Sequence, residues 1–187
     1  MSDIGLPLVV VAVIVVLVLV LVVALYNRFV RLRNRVDNAW AQIEVQLQRR
    51  FDLIPNLVET VRGYAAHEKS TLENVMAARS AASKATSVNE KTVAQNQITQ
   101  ALRQLFAVAE AYPDLKANTN FLDLQVQLRD SEDRISHMRQ SYNDTVMSYN
   151  NSIQTFPGVL FAGAFGFGPR TSFDAVGEAD SAPKVHF

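Results

Sequence analysis

Hydrophobic and polar positions divide the chain into three regimes. From Ile4 to Asn27 no residue carries a charge, and Val, Leu, Ile and Ala fill almost every position. Beyond it the apolar residues recur at steps of three and four: Val36, Trp40, Ile43, Leu47, Phe51, Ile54, Val58, Val61, Ala65, Leu72, Val75, with one longer step that passes over Glu68. That period is the single buried face of an α-helix. From Pro157 the pattern changes again, to glycines interleaved with phenylalanines and no charge as far as Gly168.

The first regime predicts a membrane anchor. About 20 apolar residues at 1.5 Å rise cross a hydrocarbon core of ~30 Å, so Ile4–Leu25 suffices. Pro7 falls in the first turn, where its missing N–H would be unpaired anyway. A cleaved signal peptide is the competing reading. It requires a basic leader, a shorter apolar stretch and a small-residue exit; Met1-Ser2-Asp3 is acidic, the run is long, and Val23-Ala24-Leu25 is a poor exit. All 18 Lys and Arg follow the span, with Arg28, Arg31, Arg33 and Arg35 directly after it. Basic flanks stay cytoplasmic, which predicts a single pass with the N-terminus outside and residues 28–187 in the cytoplasm. These arginines are the candidates for contact with anionic lipid headgroups.

The second regime predicts an all-α domain: an antiparallel bundle of long helices on residues 28–156, following the anchor on residues 1–27. The first helix is expected over 28–84, about 85 Å long. The stripe crosses Pro55 in phase, which favours a kinked continuous helix; a break at Asp52–Asn56 is the alternative, so the bundle has three or four helices. Ser87 and Glu90 have capping-box spacing and open a second helix, about Asn89–Ala111, stopped by Tyr112-Pro113-Asp114. A third carries Phe121, Leu124, Leu128, Ile135, Met138, Tyr142, Val146, Tyr149, Ile153 and Phe156 and ends at Pro157-Gly158. The second helix is expected to fold back on the first, the third to return toward the anchor, and the tip near 84–88 to stand far from the membrane.

In the third regime, residues 157–187, the uncharged stretch Pro157–Gly168 is too short to span as a helix, and its aromatics need cover. The bundle, the bilayer interface or another copy of the chain could supply it. Phe161, Phe165, Phe167 and Phe173 are the candidates for bridging copies. A polar stretch with Asp174, Glu178 and Asp180 follows.

Charge adds little: 18 basic and 18 acidic residues cancel. No basic field with interleaved aromatics points to nucleic acid. Cysteine is absent, in keeping with a reducing compartment.

Candidate chemistry is thin. Only His67, His137 and His186 occur, without a Glu-x-x-His pattern. Asp133 and His137, four apart, could share a metal, but such a surface pair is far more often fortuitous. No Gly-x-Ser-x-Gly elbow or phosphate-cradling Gly-x-x-x-x-Gly-Lys loop is present, and Gly163–Gly168 follows no strand pattern. Neither cofactor nor metal is therefore expected. Asp130, Glu132 and Asp133 against Arg129, Arg134 and Arg139 read as solvated pairing on a helix. Glu132 is the exception, because it falls where the third stripe lapses. It is expected as a buried carboxylate paired with Arg49 or Arg50, fixing register.

These residues also carry a likeness. Asn38–Leu47 and Arg49–Val58, followed by Ser131-Glu132-Asp133-Arg134-Ile135, Arg139, Tyr142-Asn143, Tyr149-Asn150 and Phe156-Pro157-Gly158, resemble the motifs of the LemA family. The resemblance implies a bacterial single-span membrane protein with a helical bundle and no assigned catalytic residues. Some members are encoded beside a membrane metalloprotease, which implies a link to membrane-protein quality control. Asp52, Pro55 and Asn56 match the family's motif and are candidates for structural or interaction roles.

Two function classes follow. One is a non-enzymatic membrane-anchored scaffold that self-assembles or recruits partners. The other is an enzyme or metal-dependent sensor with a site inside the bundle. A signalling adaptor is a third, weakened by the lack of an output domain.

Overall fold

The computed structural model describes residues 5–173 and is all-α over them. The acidic end of the tail, with Asp174, Glu178, Asp180 and His186, and the leading Met1–Ile4 lie outside the described residues. Four long helices, α1 (Gly5–Arg62), α2 (Lys69–Lys84), α3 (Val88–Ala109) and α5 (Thr119–Gln154), are accompanied by two one-turn helices, α4 (Pro113–Lys116) between α3 and α5 and α6 (Val159–Ala162) after α5. Two compact units form over the described residues: one from residues 5–38 with Asp144–Arg170, the other from Ala39–Asn143 with residues 171–173.

The second unit is an up-down-up-down four-helix bundle. Ser131 of α5 meets Gln46 of α1, and Asn118 meets Tyr64, so α5 runs antiparallel to α1. Glu44 pairs with Lys91 and Arg50 reaches Gln95 and Thr99, so α3 runs parallel to α1. The helix folding back on α1 is α2. Ile54, Leu57, Val58 and Val61 of α1 fill the core with Leu72 and Val75 of α2, Ile98, Leu102 and Leu105 of α3, and Phe121 and Leu128 of α5.

Two expectations are corrected here. The first long helix does not reach residue 84; it stops at Arg62, and Gly63–Glu68 turn the chain. The Tyr64 N–H bonds the Val61 carbonyl at 3.0 Å, a tightened last turn. Ala65 is buried within that turn and Leu72 just beyond it, so the apolar period continued through a loop because burial continued. At Pro55 the favoured reading holds: the helix is continuous there, with Pro55 inside α1. Finally, the turn after Lys84 is not a distal tip: Ala85 lies beside Ala41 and Glu44, at the end of the bundle where α1 enters.

Helix boundaries elsewhere follow local chemistry. Ser87 caps α3 in a full capping box, its hydroxyl accepting from Glu90 N–H while Glu90 accepts from Ser87 N–H. Pro113 opens α4 at a first-turn position. Asn118 accepts the Phe121 N–H at 3.0 Å at the start of α5.

In the other unit, α1 is long and apolar enough to cross a membrane. From Pro7 to Leu21 its side chains are uncovered by the chain, whereas Leu25 and Phe29 are buried. The boundary between an anchor-like stretch and a packed one thus falls just before Leu25. Val146, Tyr149 and Ile153 of α5, with Ala162 and Phe167, complete this second core. Gly158 is required by close approach: a Cβ there would lie 2.1 Å from the Ser152 carbonyl oxygen and 3.2 Å from Phe29 Cζ.

Candidate functional site

The most buried ionic group among the described residues is Arg50, 3% exposed inside the bundle. The α1 stripe presents Leu47, Arg50 and Ile54 to the interior in succession, so helical phase alone carries the guanidinium inward. Its Nη1 stands 2.6 Å from Glu132 Oε2 and donates to Gln95 Oε1 at 3.3 Å; Nη2 donates to Thr99 Oγ1 at 3.1 Å. Thr99 in turn donates to Glu132 Oε1 at 3.3 Å. The contact with Oε2 lies off the N–H axis, so it is an ion pair and that oxygen accepts no hydrogen bond. Burial pulls the Arg50 guanidinium below its ordinary value, and the Glu132 charge pushes partly back. Arg50 Nε and Gln46 Oε1 are buried without partners.

Glu132 therefore meets Arg50, not Arg49. It is also less buried than the stripe implied, with 42% of its side chain exposed. One cation tied to helices α3 and α5 at once is well suited to holding three helices in register. It is a poor site for a metal cation, because its centre is already positive. Among the described residues no three His, Cys, Asp or Glu side chains gather.

Pro55 has a counterpart in the same unit. A proline at 55 leaves the Phe51 carbonyl, four residues back, without its helical donor. Arg79 of α2 supplies one: its Nε donates to the Phe51 carbonyl at 3.2 Å, and its guanidinium lies 3.8 Å from the Phe51 ring centre. Asp52 accepts from Gln48 Nε2 at 2.8 Å on the exposed side of α1, and the Asn56 carbonyl accepts from Thr60 Oγ1. Beside them a groove of about 590 Å³ is lined by Ala41, Val45, Phe51 and Ala94, with the Glu44–Lys91 pair on its wall. No cluster of reactive groups converges there.

The tail candidates divide. Phe173 is buried in the bundle unit, 5.9 Å from the Trp40 ring and under the Arg139 guanidinium at 5.4 Å. Its N–H donates to Asn143 Oδ1, and its carbonyl accepts from Thr92. Tyr142 OH holds the Thr171 carbonyl at 2.9 Å. In the unit that holds the apolar stretch of α1 the same dipeptide does the same work. Tyr149 OH holds the Gly168 carbonyl at 2.9 Å, and Asn150 bonds both the N–H and the carbonyl of Arg170. Arg170 also pairs with Asp37 at 3.2 Å. Phe167 is buried against Phe29 at 5.3 Å and Tyr26 at 5.7 Å. Phe167 and Phe173 are thus covered by their own chain, which corrects their assignment to a surface between copies. Phe161 and Phe165 stay at the surface, stacked 6.4 Å apart.

Of the four arginines that follow the apolar stretch, Arg28, Arg31 and Arg35 are exposed, while Arg33 lies 5.3 Å over the Phe167 ring. The sequence reading missed Arg79, Gln95 and Thr99, and placed Trp40 on the buried stripe without its ring partners. Arg79 was findable in principle, since a proline within an unbroken stripe demands an outside donor.

Comparisons with known proteins agree with the motifs. The LemA family model matches residues 39–187. A Protein LemA from Metamycoplasma hominis is 31% identical over 134 residues, covering 70% of this chain and 60% of that protein. Magnetosome protein MamQ from Magnetospirillum gryphiswaldense is 27% identical over 168 residues, covering 76% of this chain and 62% of that protein. Magnetosome protein MamQ 2 from Paramagnetospirillum magneticum stands at the same 27%. The chain therefore spans about three fifths of the length of these relatives.

Proposed function

This chain belongs to the LemA family, and we propose that it is a non-enzymatic scaffold, anchored by α1 in the bacterial inner membrane with the bundle on the cytoplasmic face. There it self-assembles or recruits partners. One observation carries the reading: the apolar stretch runs without a break into a helix whose later turns build a bundle pinned by Arg50, Arg79 and Lys91. Inside the bundle Arg50, Gln95, Thr99 and Glu132 engage one another, which leaves the outer surface to do the work. Arg28, Arg31 and Arg35, directly after the span, support the cytoplasmic orientation by charge. The family resemblance adds membrane-protein quality control as the setting and a membrane protease as a candidate partner. The names of the relatives state no reaction.

The alternative, a catalytic or metal-sensing site within the bundle, has one observation in its favour: the unpartnered Arg50 Nε and Gln46 Oε1. A small polar ligand suits that pair of atoms better than a metal ion does.

Gentle detergent extraction of the full-length protein, followed by electron microscopy and mass analysis, tests the scaffold. Particles holding several copies, or a companion protein in fixed ratio, are expected. A uniform population of single copies without a companion contradicts the proposal.

A further inference from the structure

We propose that the α5–α6 turn, residues 156–165, is a second membrane contact that rests in the lipid headgroup boundary beside the anchor. The inference rests on α1 being the anchor. Four observations in the anchor-bearing unit carry it.

The first is level. Gly158 abuts Phe29 Cζ, and the Phe165 ring lies 5.4 Å from the Tyr26 ring, edge on. Phe29 and Tyr26 are one short turn apart, about 4.5 Å along the helix. The segment between Gly158 and Phe165 therefore sits beside the last turn before the uncovered apolar stretch that ends near Leu21. Tyr26 is half exposed at that boundary, the position amphipathic rings favour.

The second is direction. Arg170 pairs with Asp37, Phe167 packs under Arg33 and against Phe29, and Phe165 reaches Tyr26. Followed backward from Arg170, the tail descends α1 toward the apolar stretch and places the turn at the bottom.

The third is surface chemistry. Phe156, Val159 and Leu160 expose 79%, 51% and 64% of their area, and Phe165 exposes 36%. From Thr155 to Pro169 no side chain is charged, while Arg28 and Arg31 stand on the adjoining turn of α1. Apolar residues rimmed by cations match an anionic bilayer surface.

The fourth is backbone satisfaction. The N–H groups of Val159 through Ala162 bond Thr155, Pro157 and Gly158 carbonyls, and those of Phe165 through Phe167 bond Phe161, Gly163 and Ala162. Backbone that enters an apolar medium must be satisfied internally, and here these donors are.

The test uses this chain, whose sequence has no cysteine, in vesicles of phosphatidylcholine and phosphatidylglycerol. Single cysteines at Leu160, Val159, Val15 and Gln140 are labelled in turn with an environment-sensitive fluorophore. The proposal expects blue-shifted emission at Leu160 and Val159, loss of iodide quenching, and strongest quenching by lipids nitroxide-labelled near the headgroup. Val15 should be quenched best by deep-labelled lipids and Gln140 by iodide. Iodide quenching at Leu160 equal to that at Gln140, with Val15 still deep, overturns the inference and leaves the anchor standing. Iodide access at Val15 overturns both. Shielding of Leu160 from iodide and lipid alike, dependent on protein density, overturns it in favour of a second copy.

Discussion

Arg79 donates from its Nε to the carbonyl of Phe51 at 3.2 Å, the acceptor that Pro55 leaves without a partner. The two residues sit on different helices, and the link explains how α1 passes a proline unbroken. It also ties α2 to α1 at the one turn where α1 is weakest. An unsatisfied part-buried carbonyl costs about 1–3 kcal/mol, so Arg79→Ala should lower stability by about that much. In a Pro55→Ala background the new N–H serves Phe51, and Arg79→Ala should cost about 1 kcal/mol less. Chemical denaturation of the four variants in detergent checks the coupling; strict additivity contradicts it.

The Arg50 cluster makes an asymmetric prediction. Arg50→Ala strands the Glu132 charge, Gln95 and Thr99 and should cost about 3 kcal/mol. Glu132→Gln should cost less, about 1 kcal/mol, because that side chain is 42% exposed. Replacing both by Met should restore much of the loss, since apolar packing often matches a buried ion pair. Thermal melting of the three variants decides. A double variant no more stable than Arg50→Ala would contradict the assignment to register.

Glu90 predicts a pH dependence. The N–H groups of Thr86 and Ser87 donate to its carboxylate and hold its pKa down to about 2, against an ordinary 4.5. A carboxyl depressed by folding stabilises fully above its unfolded value, and that stabilisation is lost as pH falls through the folded one. Wild type should therefore melt above Glu90→Ala at pH 7. The gap should narrow as pH falls from about 4.5 toward about 2. A gap unchanged over that range would contradict the capping account.

Phe173 was expected to bridge copies and is instead part of the bundle. Its truncation to Ala should cost about 3 kcal/mol, and Tyr142→Phe, which releases the Thr171 carbonyl, about 1 kcal/mol. Particle size should not change at permissive temperature. Dissociation of particles by Phe173→Ala without loss of stability would reinstate the original assignment.

The periodic stripes made the helices legible because each buries one face, and Ser87 with Glu90 announced its own cap. The turn at Gly63–Glu68 was hidden because Ala65 and Leu72 keep the apolar phase while the backbone turns. Glu132 was legible as a partner for the first helix, since a carboxylate in a lapsed stripe needs a cation. Gln95 and Thr99 were not, because neutral polar residues on a helix look the same facing water or a guanidinium. The tail misled for a related reason. Tyr142-Asn143 and Tyr149-Asn150 hold main-chain atoms of residues 168–173, and backbone recognition leaves no mark in the recognised sequence.

Attachment and sidedness underlie every other proposal, and one labelling experiment addresses both. Ser80, exposed on α2, becomes the sole cysteine of the full-length chain in cells. The account predicts that a membrane-impermeant maleimide reaches it only after the inner membrane is opened. The labelled protein should then stay with the membrane pellet through an alkaline wash. Labelling in cells with an intact inner membrane, or release of the protein into the wash, would contradict it.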